Sequence, residues 1–163
     1  MSEILAIKLK TREKFDSNSV SDMLFDIARE GCDRKIAIYV LTKGTNFYGI
    51  EADLSSDELV ILLFDSYNRK LTSPLICSKM YEEVREYRPE PLKQRLLNLQ
   101  GFFEFVLNCK QVISMRVMYD ETDFVFENTN MDIQLKDFAE VMTDLIDNAP
   151  IPAVHYEFFW TKQ

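Results

Sequence analysis

The spacing of apolar residues along the chain changes several times, and each change marks an element. Ile4-Leu5-Ala6-Ile7-Lys8-Leu9 is apolar enough for a first strand, and a polar connection over residues 12–18 leads to a helix. That helix takes Ser19 or Ser21 as cap, carries Val20, Met23, Leu24 and Ile27 at helical spacing, and stops at Gly31. Lys35 to Leu41 is the clearest strand of the first half. Asn46 to Ala52 either pairs with it or runs irregularly, because Gly49 interrupts both patterns. Ser55 and Glu58 then form a capping-box pattern ahead of Leu59-Val60-Ile61-Leu62-Leu63-Phe64. An unbroken apolar run of this length suits a buried strand as well as a helix, and the cap favours the helix.

Ser73-Pro74 opens a further segment from Leu75 to Tyr87, closed by Arg88-Pro89-Glu90-Pro91, whose prolines suit a corner and the first turn of the next helix. That next helix is the most apolar in the chain. Leu92, Leu96, Leu99, Phe103 and Val106 share one side, Leu97, Phe102, Phe105 and Leu107 flank them, and the half beyond Gln100 is expected at the centre of the core. Alternation returns in Val112 to Tyr119, with Ile113, Met115, Val117 and Tyr119 on one face. A hairpin through Asp120-Glu121-Thr122 to Asp123-Phe124-Val125-Phe126-Glu127 is expected there. From Gln134 the period is helical again, with Leu135, Phe138, Met142, Leu145 and Ile146 on the buried side and Asp132 as N-cap. The aromatic run Val154 to Trp160 closes the chain as a strand. Together these elements predict one α+β domain over residues 1–163, with a mixed or antiparallel sheet and four to five helices.

Composition supports a packed core: of 163 residues 47% are hydrophobic and 12% aromatic, with only four Gly and five Pro. The start, Met1-Ser2-Glu3-Ile4-Leu5, lacks the basic and long apolar segments of a signal peptide, and no stretch has the length of a membrane span, so a cytoplasmic protein without a membrane partner is expected. Three cysteines, Cys32, Cys77 and Cys109, are an odd, scattered set and read as reduced, buried thiols.

Charge adds what hydropathy does not show. The chain carries a net −8, and residues 111–163 hold three bases (Arg116, Lys136, Lys162) against ten acids, a local −7. Asp137, Glu140, Asp144 and Asp147, spaced three, four and three, put four carboxylates along one side of the last helix, with Lys136 the one base beside them. Like charges at such spacing each cost roughly 0.2–0.5 kcal/mol, and acids at a helix C-terminus oppose the macrodipole. A solvated helix face accounts for acids in general. A template for a basic partner accounts for this arrangement, and it adds Asp120, Glu121, Asp123 and Glu127 to the contact candidates. Such a field repels nucleic acid.

Catalytic motifs are missing. His155 is the one histidine, sits between apolar neighbours as a strand residue, and has no Ser, Cys or Asp in a recognisable motif beside it. Four isolated glycines build no phosphate loop, and Arg85, Arg88, Lys93 and Arg95 are interleaved with Glu82, Glu83, Glu86 and Glu90 as a salt-bridged surface. No catalytic residue, metal site or cofactor is therefore expected. Clustered carboxylates such as Asp120 with Asp123 leave a small hydrolase or metal-dependent enzyme as one alternative, and an oligomeric scaffold or adaptor joined through aromatic surface as another.

In the segment Tyr119 to Glu127 and the helix ending Met142-Thr143-Asp144-Leu145-Ile146-Asp147, this small acidic α+β chain resembles the cytoplasmic immunity proteins of bacterial polymorphic-toxin and contact-dependent inhibition systems. The resemblance implies a non-enzymatic protein that binds a toxin domain, in many cases a basic nuclease, and blocks its active site or another essential surface. For this chain it implies a protein partner met through Asp120, Glu121, Asp123, Glu127, Asp137, Glu140, Asp144 and Asp147. Reduced thiols carry a first prediction: the melting temperature should be the same with and without reductant, and a large drop in reductant would reveal a disulfide.

Overall fold

The computed structural model describes residues 3–14, 17–41, 46–47, 50–51, 58–65, 89–121, 129–131, 133–148 and 155–162. The first apolar run is strand β1 (Glu3–Thr11), followed by helix α1 (Asn18–Asp33) and strand β2 (Ile36–Leu41). Ser17 caps α1, accepting from the Val20 N–H at 3.3 Å, in place of the expected Ser19 or Ser21. The Ser19 hydroxyl is engaged with Ser17 and with the Glu13 carboxylate. Nor does the helix stop at Gly31. It runs to Asp33, and Lys35, at φ 59, takes the left-handed conformation that turns the chain into β2. Gly31 serves close approach instead: a Cβ there would stand 2.6 Å from the Ile36 carbonyl oxygen.

Strands β3 (Asn46–Phe47) and β4 (Ile50–Glu51) pair with each other, not with β2. The run after the capping-box pattern is strand β5 (Glu58–Asp65), so the helix expected over 59–64 is corrected. The reason lies in its neighbours. β5 sits between β2 and β1, and Leu59, Val60, Ile61, Leu62 and Leu63 are all buried, so both alternations are apolar and no period of two is left to read.

Helix α2 (Pro89–Asn108) accommodates both prolines in its first turn, where an N–H has no intrahelical partner. Leu96, Leu99, Phe102, Phe103 and Val106 are buried, as the spacing predicted. Strand β6 (Val112–Glu121) follows and buries Met115 and Val117, but the expected hairpin is corrected: β1 pairs with one edge of β6 and β8 (His155–Thr161) with the other. Both edges of β6 are thus taken, and residues 123–127, the expected partner strand, lie outside the described residues. Strand β7 (Thr129–Met131) instead joins the outer edge of β8 in parallel.

The sheet order is β2-β5-β1-β6-β8-β7, five antiparallel strands with one short parallel strand at the edge. A 3-10 turn (Leu135–Asp137) leads into helix α3 (Phe138–Asn148). The N-cap position of the turn is Gln134, without a side-chain cap bond, and Asp132 lies outside the described residues. Among the described residues there are three α-helices, not four to five; 59–64 is a strand, and the segment expected over 75–87 lies outside them.

The core forms between one sheet face and these helices. Leu5, Ile7, Leu9, Leu59, Ile61, Leu63, Met115, Val117, Phe158 and Trp160 meet α1, α2 and α3 in one cluster. An aromatic series crosses it: Phe103 to Phe138 at 5.2 Å, Phe138 to Phe158 at 5.2 Å, and Phe158 stacked on Trp160 at 5.9 Å. The Trp160 indole N–H donates to the Ile133 carbonyl at 2.9 Å. Gln100, whose carboxamide oxygen accepts from the Ala139 N–H at 3.0 Å, fixes the start of α3 on α2. Replacing Phe138 by Ala should cost about 3–5 kcal/mol of stability. Gln100→Ala, which strands one helix N–H, should cost about 1–3 kcal/mol. Denaturant melts of the two variants check both values, and a smaller loss for F138A than for Q100A would contradict this packing.

Candidate functional site

The acidic side of α3 is set by the apolar one. Phe138, Ala139 and Met142 are buried against α2 and β8, and the positions between them are turned to solvent. Glu140 and Asp144, one turn apart, are exposed; Asp137, in the 3-10 turn, is half-buried; Lys136 beside it is exposed. Glu140 lies in the first turn of α3, where the macrodipole favours an anion, and no base lies in the last turn. Asp147 is in that last turn. No cation of the described residues is within salt-bridge distance of Asp137, Glu140 or Asp144.

Of the second group of predicted contacts, Asp120 and Glu121 are among the described residues. Glu121 and Asp120 end β6, opposite Glu3 and Ile4 of β1, and Asp120 also pairs in register with His155. Position 120 falls in the alternation of Arg116 and Met118, the sheet face away from the helices, whereas α3 covers the other face. Asp123 and Glu127 lie outside the described residues.

That opposite face combines buried apolar residues, Ala6, Val60 and Leu62, with two ion pairs. Lys8 meets Glu58 at 3.4 Å and Arg116 meets Glu157 at 3.2 Å, while the Arg116 guanidinium lies 5.4 Å from the centre of the half-exposed Phe159 ring. Such pairs offset the repulsion of Lys8 and Arg116, direct neighbours across β1 and β6, and each contributes about 0–1 kcal/mol.

A cationic group that the linear sequence does not show stands at one end of the sheet. The Arg12 backbone N–H donates to the Gln111 carbonyl at 2.8 Å and its Nε to the Lys110 carbonyl at 3.0 Å. The Lys162 backbone N–H donates to the Ile113 carbonyl at 2.9 Å, and its Nζ to the Cys109 carbonyl at 2.6 Å. Burial first, and the Arg12 guanidinium second, hold the Lys162 ammonium below its ordinary value. Burial likewise pushes the Cys109 thiol up, with Lys162 opposing and Asp26 adding to it. Residues 12, 110 and 162 are remote in sequence, and strand order alone brings them together.

Of the thiols read as buried, Cys109 is half-buried and Cys32 is exposed; Cys77 is outside the described residues. Cys32 lies on the outer side of α1, one residue beyond the glycine that packs against β2, so the helix period turns it to solvent. Among the described residues no group of three His, Cys, Asp or Glu side chains is placed to hold a metal ion, and no helix is long and apolar enough to cross a membrane. Comparison with protein-family models, with curated proteins and with solved structures finds no match.

Exposure and the raised thiol value set an order of reactivity. Alkylation of the folded protein near pH 8, followed by peptide mapping, should label Cys32 well before Cys109, because Cys109 is less accessible and its burial holds the thiol form. Equal rates would contradict the burial of Cys109.

Proposed function

We propose that the chain is a non-enzymatic, cytoplasmic binding protein of the immunity type, which neutralises a basic toxin domain by covering an essential surface of it. The observation that carries this reading is that Glu140 and Asp144 of α3 have no cation among the described residues within salt-bridge distance, on a helix whose inner side is locked into the aromatic core. Rigid presentation matters, since a binder that orders no loop on association loses less entropy. Local energetics favour a different sequence here: a base in the last turn would complement the dipole, yet there is none. Glu140 suits the helix N-terminus, and the acids toward the other end, Asp144 and Asp147, are the ones that local energetics do not favour. Glu140 and Asp144 are the central contacts in this proposal, with Asp137 and Asp147 flanking them. Asp120 belongs to a separate contact if it takes part, because position 120 lies in the alternation of the opposite sheet face; Glu121 is the next residue of β6, and Asp123 and Glu127 lie outside the described residues. Occlusion supplies the inhibition and charge supplies encounter rate and selectivity.

The test is the fourfold variant D137N/E140Q/D144N/D147N, measured against the protein recovered by pull-down from the source cell. Wild-type association should slow as salt rises from low to moderate, and the variant should associate about tenfold or more slowly at low salt while keeping or gaining thermal stability. An unchanged rate with unchanged affinity would remove α3 from the interface.

A further inference from the structure

We infer that the sheet end formed by Arg12, Lys110 and Lys162 is a binding site for the phosphate group of a small molecule. Three observations converge on it. First, the cations come from three separate segments, the end of β1, the turn between α2 and β6, and the end of β8, and two of them are tethered by carbonyls of that one turn. Nε of Arg12 is held by the Lys110 carbonyl and Nζ of Lys162 by the Cys109 carbonyl, which orders both cations before any ligand arrives.

Second, the chain has ample acid to neutralise them and does not use it. Net charge is −8, yet no carboxylate of the described residues is within salt-bridge distance of Arg12, Lys110 or Lys162. Glu13, next to Arg12, accepts from Ser19 instead. Arg12 and Lys162 repel each other, and an oxyanion relieves that repulsion while accepting charge-assisted hydrogen bonds from both head types, with the exposed Lys110 on the same turn. Arg12 still has its terminal guanidinium nitrogens for a two-point contact with phosphate oxygens.

Third, the turn contains a polar group with nothing to bind. The Gln111 carboxamide oxygen is buried and has no hydrogen-bond partner, an arrangement that costs free energy unless a donor completes it. The same residue accepts from the Arg12 N–H through its backbone carbonyl, so the unsatisfied group lies in the turn that holds the cations, while a phosphate meets the cations alone. A long polyanion fits less well. Screening confines the attraction of the site to about 8 Å at physiological ionic strength, and beyond that distance a nucleic acid strand meets a chain of net −8.

Inorganic phosphate is the probe, titrated into the full chain at constant ionic strength held with chloride, with amide shifts and melting temperature followed together. Saturable shifts confined to Arg12, Lys110, Gln111 and Lys162, with a rise in melting temperature that chloride does not give, are expected. Lys110→Ala, at an exposed side chain, should weaken phosphate binding without unfolding the protein, and K110A/K162A should weaken it by about tenfold or more. No saturable response beyond chloride, or an unchanged affinity in the folded double variant, overturns the site. A 12-nucleotide single strand in a parallel titration separates the sources: binding of the strand without a response to phosphate also overturns it.

Discussion

Phe138 is the residue on which the placement of α3, and with it the acidic face, turns. Its ring meets Phe103 of α2, and Phe158 and Trp160 of β8, all edge-on, so one side chain ties a helix to another helix and to a sheet strand. Edge-to-face aromatic contacts are directional, worth about 0.5–1.5 kcal/mol each beyond burial, and so fix an angle as well as a distance. Gln100 adds the second constraint by accepting from the Ala139 N–H at the N-terminus of α3 from α2. Two points define the helix axis and its rotation. The acids at 140 and 144 are outside because Phe138 and Met142 have to be inside.

A similar lock joins α1 to α2. Asn98 donates to the Arg34 carbonyl at 2.8 Å, the Arg34 guanidinium donates to the Asn98 carboxamide oxygen at 3.3 Å, and Arg34 also holds Glu30 at 2.8 Å. Gly101 makes room for the guanidinium, whose Nη1 would lie 2.5 Å from a Cβ at that position. Each helix of the layer is thus oriented by a polar contact that only one register allows, on top of apolar burial that tolerates several.

Where one face of an element is wet, the pattern told the truth. The periodicity of α2 and α3, the alternation in β6 and the aromatic closing strand all read correctly from residues such as Leu96, Phe103, Phe138, Met115 and Phe158. It failed at β5, whose two faces are both covered, and at the order of strands. Hairpin expectations assume that neighbours in sequence are neighbours in the sheet, whereas β6 is flanked by β1 and β8, both distant in sequence. The thiol of Cys32 was misjudged for a related reason: cysteine is usually buried, but the helix period at that position outweighs residue type.

The acids and the cations differ in the same way. Four carboxylates on one helix are visible to anyone counting threes and fours, because a helix makes local spacing into a surface. Arg12, Lys110 and Lys162 have no such signature, since their proximity exists only once β1, β6 and β8 are neighbours. Net charge misleads here as well. The ladder from Glu3 opposite Glu121 to Thr11 opposite Val112 advances eight residues along β1, roughly 26 Å at about 3.3 Å per residue. That is about three Debye lengths at physiological ionic strength. A ligand at the Arg12 end is therefore screened from Glu3, Asp120 and Glu121 at the other and experiences a cationic surface on a protein of net −8. Net charge therefore describes the field neither at the acids of α3 nor at the cations of the sheet end, each of which is set by the charge within its own few ångströms.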